Sequence, residues 1–153
     1  MRIRRHDSIV QLVKTACEAA NLRVLCEHHI RIENRQLQKP DLIIINESTA
    51  FVVDVSIVTE RIRIQGNNVD LHANWTHRSK IYDSDATNTY VRNLARRNNA
   101  DHGAIIISIH GLWCSKNDDL FQQLYIANKY RELMVVRTMG WGCRSLLVYL
   151  YEY

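Results

Sequence analysis

The chain of 153 residues is long enough for one domain with a buried core, and 46% hydrophobic with 24% charged residues is the balance of an ordinary globular protein. No window approaches the ~18 uninterrupted apolar residues of a membrane span, and the N-terminal MRIRRHDS lacks the apolar core of a signal peptide, which argues against membrane and secreted classes and for an intracellular protein. The net charge is +4, and fifteen of the twenty basic residues are arginine, whose planar fork matches phosphate, so a polyanionic partner is favoured.

In chain order, Ile9, Leu12, Val13, Ala16, Cys17 and Ala20 recur at helical spacing, which predicts an amphipathic first helix with Asp7 or Ser8 as N-cap. Residues 22 to 33 alternate, with Val24, Cys26, His28, Ile30 and Ile32 on one face, and predict a strand. Residues 41 to 45 and 50 to 58 are apolar runs bounded by Pro40 and separated by NEST, the pattern of a hairpin of core strands. A polar QGNN turn follows, then a helical region through Trp75 and Tyr82 to about Arg97, and a buried strand over 103 to 110. Residues 115 to 130 and 131 to 151 read as two helices, the second weakened by Gly140 and Gly142. No repeat or linker interrupts residues 1 to 153, so a single α/β domain is expected, its central mixed sheet of about four to five strands flanked by helices.

Two aspartates stand out within the hairpin. If NEST closes it symmetrically, Ile45 faces Ala50, Ile43 faces Val52, and Asp41 faces Asp54. Directly opposed residues hold their Cβ atoms about 4.5 to 5.5 Å apart, where like charges repel. A divalent cation such as Mg²⁺ resolves the repulsion, since hard ions take carboxylate oxygens and keep positions for waters and a phosphate. The plainer alternative is that one aspartate caps a turn and the other is a tolerated charge at a strand end. Asp54 sits in mid-run between FVV and VSIV, however, and an unpaired buried carboxylate costs several kcal/mol. Chemistry at such a site also needs a group to position or deprotonate water, and burial can tune a lysine for it. Between Lys39 and Lys116 that leaves Lys80, in WTHRSKIYDS, whose plain alternative is a solvated surface lysine.

Pro-Asp, twelve intervening residues, an Asp in an apolar strand and a lysine on the next helix resemble the PD-(D/E)XK nuclease superfamily. More closely, the chain resembles the restriction-like endonuclease domain of site-specific non-LTR retrotransposons, in RHDS at 5 to 8, KPDLII at 39 to 44, VVDVSIV at 52 to 58, KIY at 80 to 82 and IHGLWCSKND at 109 to 118. The resemblance implies a restriction-endonuclease-like fold and a Mg²⁺- or Mn²⁺-dependent endonuclease acting on duplex DNA. It implies that Asp41, Asp54 and the Val55 carbonyl hold the metal, that Lys80 is the catalytic lysine and that Tyr82 is accessory. Arg5 and His6 then lie near the DNA or the active site. In the wider superfamily the lysine often sits two residues after the second acid, where this chain has Ser56. The sequence also departs from the family in reading HRSKIY, with Ile81 between Lys80 and Tyr82. The implied product is a strand with a free 3′ hydroxyl that primes reverse transcription. Reverse-transcriptase and zinc-knuckle domains of a parent polyprotein would be partners, and the location would be nuclear.

Other patterns point elsewhere or nowhere. His28 and His29 face opposite ways on a strand, and His72 and His77 miss the i, i+4 spacing of a helical metal pair. The cysteines Cys17, Cys26, Cys114 and Cys143 form no CxxC, so buried or incidental thiols are expected. Arg92, Arg96 and Arg97, with Arg4 and Arg5, form a candidate phosphate-tracking surface, for which a solvated basic face is the alternative. Two rivals to the nuclease remain: a non-catalytic DNA-binding module on a degenerate nuclease fold, and another superfamily enzyme such as a junction resolvase or repair nuclease.

Overall fold

The hairpin around NEST forms the centre of a mixed sheet. In the computed structural model, which describes residues 2–33, 36–59 and 71–151 (side chains of 2, 3 and 144–151 excepted), the elements run α1 (Arg2–Ala19), β1 (Arg23–Cys26), β2 (Leu42–Ile45), β3 (Thr49–Val58), α2 (Leu71–Ser79), α3 (Asp85–Ala95), β4 (Asn99–Ser108), α4 (Lys116–Gln123) and α5 (Asn128–Tyr151). The predicted QGNN turn lies outside the described residues. Among those residues the sheet has four strands in the order β1-β2-β3-β4, with β1–β2 and β2–β3 antiparallel and β3–β4 parallel. No described helix is long and apolar enough to cross a membrane.

Asn46 sets the hairpin turn: its Oδ1 accepts from the backbone N–H groups of Ser48 (3.0 Å) and Thr49 (2.8 Å), an Asx arrangement that closes the chain on itself. The register is the one that a symmetric four-residue loop predicts, Ile45 opposite Ala50 and Ile43 opposite Val52. Both faces of the sheet are covered, which is why its strands read as unbroken apolar runs. On one face Leu42, Ile44, Phe51, Val53, Val55, Ile105 and Ile107 pack against α1, α4 and α5. On the other, Ile43, Ile45, Ala50 and Val52 meet Val91 and Ala95 of α3, while Ala104 and Ile106 meet Leu71 and Trp75 of α2.

Several boundaries differ from the sequence expectations for identifiable reasons. α1 begins at Arg2, so Asp7 and Ser8 lie inside it rather than capping it. β1 ends at Cys26 because Glu27 adopts φ +50°, and beyond it only an isolated bridge joins Ile30 to Gln38. That left-handed residue moves Ile30 and Ile32 to the α3 face, whereas Val24 and Cys26 face α1, so the predicted single alternating strand is two segments. The helical region through Tyr82 is divided, α3 starting afresh at Ser84, whose Oγ accepts from Thr87 N–H. β4 starts at Asn99, four residues before the predicted strand, and pairs with β3 along its whole length. α5 runs unbroken through both glycines; a Cβ at Gly142 would lie 3.3 Å from the Ile109 carbonyl, so the glycine admits a close backbone approach. All four cysteines are free, and burial pushes the Cys17 thiol up to about 12.

The outer edge of β4 is closed by an isolated bridge from Ile107 to Trp113 and by side chains. Fully buried Asn117 donates from Nδ2 to the Ile106 carbonyl (2.9 Å) and accepts from Ile106 N–H at Oδ1 (3.0 Å), and Trp75 Nε1 donates to the Ala104 carbonyl (2.8 Å). The Ile106 carbonyl also accepts from Cys114 N–H at 3.2 Å, so loss of the Asn117 side chain leaves the buried Ile106 N–H without its acceptor. Asn117→Ala is therefore expected to cost about 2–4 kcal/mol, read as a lower urea midpoint at unchanged m value.

Candidate metal and phosphate site

Pro40 precedes β2 and ends its ladder. Continuing the register past Leu42–Val53 sets Asp41 opposite Asp54 and Pro40 opposite Val55. Proline has no N–H to offer, so the Val55 carbonyl must find another donor, and the Val55 N–H turns to the Asp41 side chain. Asp41 Oδ2 accepts from Val55 N–H at 2.8 Å, and His6 Nε2 lies 3.1 Å from the Val55 carbonyl and 3.2 Å from Asp41 Oδ2. His6 comes from the first turns of α1 and its Nδ1 stands 3.2 Å from Asp7 Oδ1, so a doubly protonated ring donates at both nitrogens.

Strand alternation puts Asp54 on the same face as Ala50 and Val52, toward α2. The carboxylate is buried, its Oδ2 has no hydrogen-bond partner, and Arg78 Nη1 of α2 stands 3.7 Å from that oxygen. The two aspartates are shifted in opposite directions. Burial and then the charge of Asp41 raise the Asp54 carboxyl to about 7, against the pull of Arg78. Burial raises Asp41 too, but the hydrogen bonds from His6 and Val55 N–H, with the His6 charge, outweigh it and hold Asp41 below its ordinary value. The hydrogen bond to Asp41 raises His6 to about 9 against the lowering effect of burial, so the ring is an imidazolium near neutral pH.

These groups line a cleft of about 620 Å³, walled by Arg5 and His6 of α1, Asp41, Asp54 and Ser56 of the hairpin, and Arg78. Of the residues singled out in the sequence, Asp41, Asp54, Val55, Arg5 and His6 are brought together here, and Arg4 is exposed beside them in sequence. Tyr82 is close by: its hydroxyl donates to the Lys39 carbonyl at 3.1 Å, and burial, then the charges of Asp54 and Asp41, push its phenol up. Lys80 is not brought to the carboxylates; it is exposed beside a separate recess with His72, Thr76 and His77. Arg97 is committed elsewhere, its Nε donating to the Asn46 carbonyl at 2.7 Å, at the turn end of the hairpin and ~16 Å along the strand from Asp41 at a strand rise of about 3.3 Å per residue. Arg92 donates to Thr89 Oγ1 on α3, and Arg96 is the left-handed C-cap of that helix. Arg78 also lines the cleft; it is an arginine two residues before Lys80 in the HRSK stretch, and a search for a water-activating lysine passes over it.

No family model matches the chain. Two proteins from Popillia japonica resemble it, both described as "Retrovirus-related Pol polyprotein from type-1 retrotransposable element R2". One is 26% identical over 141 residues, 92% of this chain and 19% of its own length; the other is 24% identical over 132 residues, 86% of this chain and 26% of its own. The chain thus spans a fifth to a quarter of the length of the curated relatives it matches. The similarity is to part of a larger polyprotein and supports a protein of the non-LTR retrotransposon kind.

The site makes stability depend on pH. Asp54 titrates near 7 in the fold against an ordinary 3.8, so the folded state loses stability as pH rises from about 3.8 through 7. His6 acts in the same direction, its contribution full below 6.5 and lost as pH rises through about 9. With a chelator present, Asp54→Asn is therefore expected to raise Tm by an amount that grows between pH 4 and pH 8, reaching on the order of 5 °C. Thermal melts across that range test it, and a gain independent of pH would contradict the assignment.

Proposed function

We propose that the chain is a Mg²⁺- or Mn²⁺-dependent DNA endonuclease of the restriction-like kind, which hydrolyses a phosphodiester in duplex DNA and leaves a 3′ hydroxyl. The observation that carries this reading is the pair of carboxylates on one strand face at the rim of an open cleft, with a buried Asp54 oxygen that has no hydrogen-bond partner. Two carboxylates and the Val55 carbonyl form a set of hard oxygen donors, and such a set suits a cation that keeps waters and a phosphate in its remaining positions. Among the described residues no cluster of three or more His, Cys, Asp or Glu could hold a metal, so any ion here would rest on the two carboxylates, the Val55 carbonyl and waters.

Asp41, Asp54 and the Val55 carbonyl would hold the ion, and the chemistry it supplies when bound is polarisation of the scissile phosphate and a lower pKa for the attacking water. The chain's own residues prepare the rest. Val55 N–H and His6 keep Asp41 ionised and aimed at the cleft. Asp54 gives up its proton on entering the donor set, which couples binding to proton release. Tyr82 anchors the Lys39 carbonyl and so steadies the backbone that leads into Asp41. The similarity to retrotransposon Pol polyproteins agrees with this reading, in which the 3′ end primes reverse transcription, the partners are duplex DNA and the other domains of a polyprotein, and the work is done in the nucleus.

One observation favours the rival, a DNA-binding module that does not cut. His6 and Arg78 already place two cations against the pair, enough to neutralise it without a metal. Nicking of supercoiled plasmid by the full chain in Mg²⁺ or Mn²⁺ decides between them. Asp41→Asn and Asp54→Asn are each expected to lower the nicking rate by at least about 10²-fold while leaving the protein folded by circular dichroism. Plasmid that stays supercoiled with the unmodified chain in both metals would leave the binding module standing.

A further inference from the structure

The rotation of α2 decides which cation enters the cleft. Leu71, Trp75 and Ser79 recur every four residues and form the stripe that faces the sheet: Leu71 and Trp75 pack on Ala104 and Ile106, Trp75 Nε1 is tied to the Ala104 carbonyl, and Ser79 is buried. Successive residues of a helix lie about 100° apart. Arg78, in the last turn of α2, lies about 100° from Ser79, and Lys80 is the first residue past the end of the helix. Arg78 falls on the side of Asp54 and lines the cleft, whereas Lys80 follows His72 and Thr76 at the same four-residue spacing along the outer recess.

We propose that Arg78, and not Lys80, is the residue that receives the DNA phosphate in the cleft. This rests on the nuclease reading for its catalytic consequence. The Arg78 side chain is 42% exposed, and its Nη1 stands 3.7 Å from Asp54 Oδ2, beyond hydrogen-bond range, so its fork of N–H donors is not fixed on the carboxylate. A phosphodiester in the same cleft offers two non-bridging oxygens to that fork in the bidentate geometry that guanidinium favours. An arginine stays protonated at any working pH, so its role is to bind the phosphate and stabilise charge developing on the phosphoryl oxygens, not to take a proton from water. Arg78 is thus a catalytic residue by contact with substrate, and Lys80 at most touches the DNA backbone outside the cleft.

The first test needs no cleavage. In an Asp54→Asn background the carboxylate charge that Arg78 pairs with is gone, so a purely structural role for the arginine is already removed. There, Arg78→Ala is expected to weaken binding of a short fluorescent duplex and to reduce the slope of log K against log salt by about 0.9, the signature of one lost phosphate contact. An unchanged slope overturns the proposal. In the otherwise unmodified chain with Mn²⁺, Arg78→Ala is expected to lower plasmid nicking by at least about 10²-fold, with partial recovery in Arg78→Lys, and Lys80→Ala by less than about tenfold. Loss of nicking in Lys80→Ala with nicking retained in Arg78→Ala also overturns it. Should the unmodified chain fail to nick at all, the nuclease reading falls, and the salt slope still decides whether Arg78 holds phosphate.

Discussion

The register of β2 on β3 is the constraint on which the site depends. The turn closed by Asn46 fixes Ile45 opposite Ala50, and alternation then carries Ile43, Asp41, Val52 and Asp54 to one face of the sheet. A slip of one residue would flip one strand's whole set of side chains to the other face and part the carboxylates. It would also bury Asp41 or Asp54 among the apolar residues packed under α1. Leu42, Ile43, Ile44 and Val53 are completely buried on two covered faces, so the register is held by the Asn46 turn and by the cost of placing a carboxylate under α1.

Pro40 matters for what it withholds. By ending the ladder opposite Val55 it leaves a main-chain N–H and carbonyl at the strand edge, and these are answered by Asp41 and by His6. The repulsion between the carboxylates is then met from both layers of helices, by an imidazolium from α1 and a guanidinium from α2. Each cation contacts one member of the pair, and the two shift in opposite directions because their partners differ: Asp41 accepts two hydrogen bonds from cleft groups, whereas Asp54 has a buried oxygen with none. Two chemically identical residues acquire different roles from the edges they occupy.

Much of this was legible in the sequence, and the exceptions share a cause. The hairpin, its register, the apolar strand β4 and the helical face of α1 follow from periodicity, which reports burial directly. The end of β1 depends on a left-handed Glu27, a conformation that glutamate does not advertise. The break between α2 and α3 did carry a signal, Ser84 followed by Asp85, but apolar residues on both sides masked it. The burial of Asn117 has no signal in the periodicity and follows from the outer edge of β4, whose Ile106 main chain it pairs with. Arg78 was visible as an arginine in HRSK, but which of Arg78 and Lys80 lines the cleft is set by the packing of Trp75 and Ser79 against the sheet, a tertiary fact.

The chain order also separates the site from its support. The groups at the cleft come chiefly from α1, the hairpin and α2, while β4, α4 and α5 form the frame that holds them. His6 is the vulnerable member, since it stands on the first turns of α1 and owes its place to the buried stripe Ile9, Val13 and Cys17 and to α5, where Arg137 Nη1 donates to Ser8 Oγ at 2.9 Å. Its two contacts at the cleft are longer than the 2.8 Å bond that Val55 N–H makes. Loosening of α5 from α1 would therefore release the imidazolium first, leaving Asp41 with its backbone donor and Asp54 with Arg78. The hairpin keeps the carboxylates together without help from the C-terminal helices; what those helices govern is how much positive charge stands beside the pair.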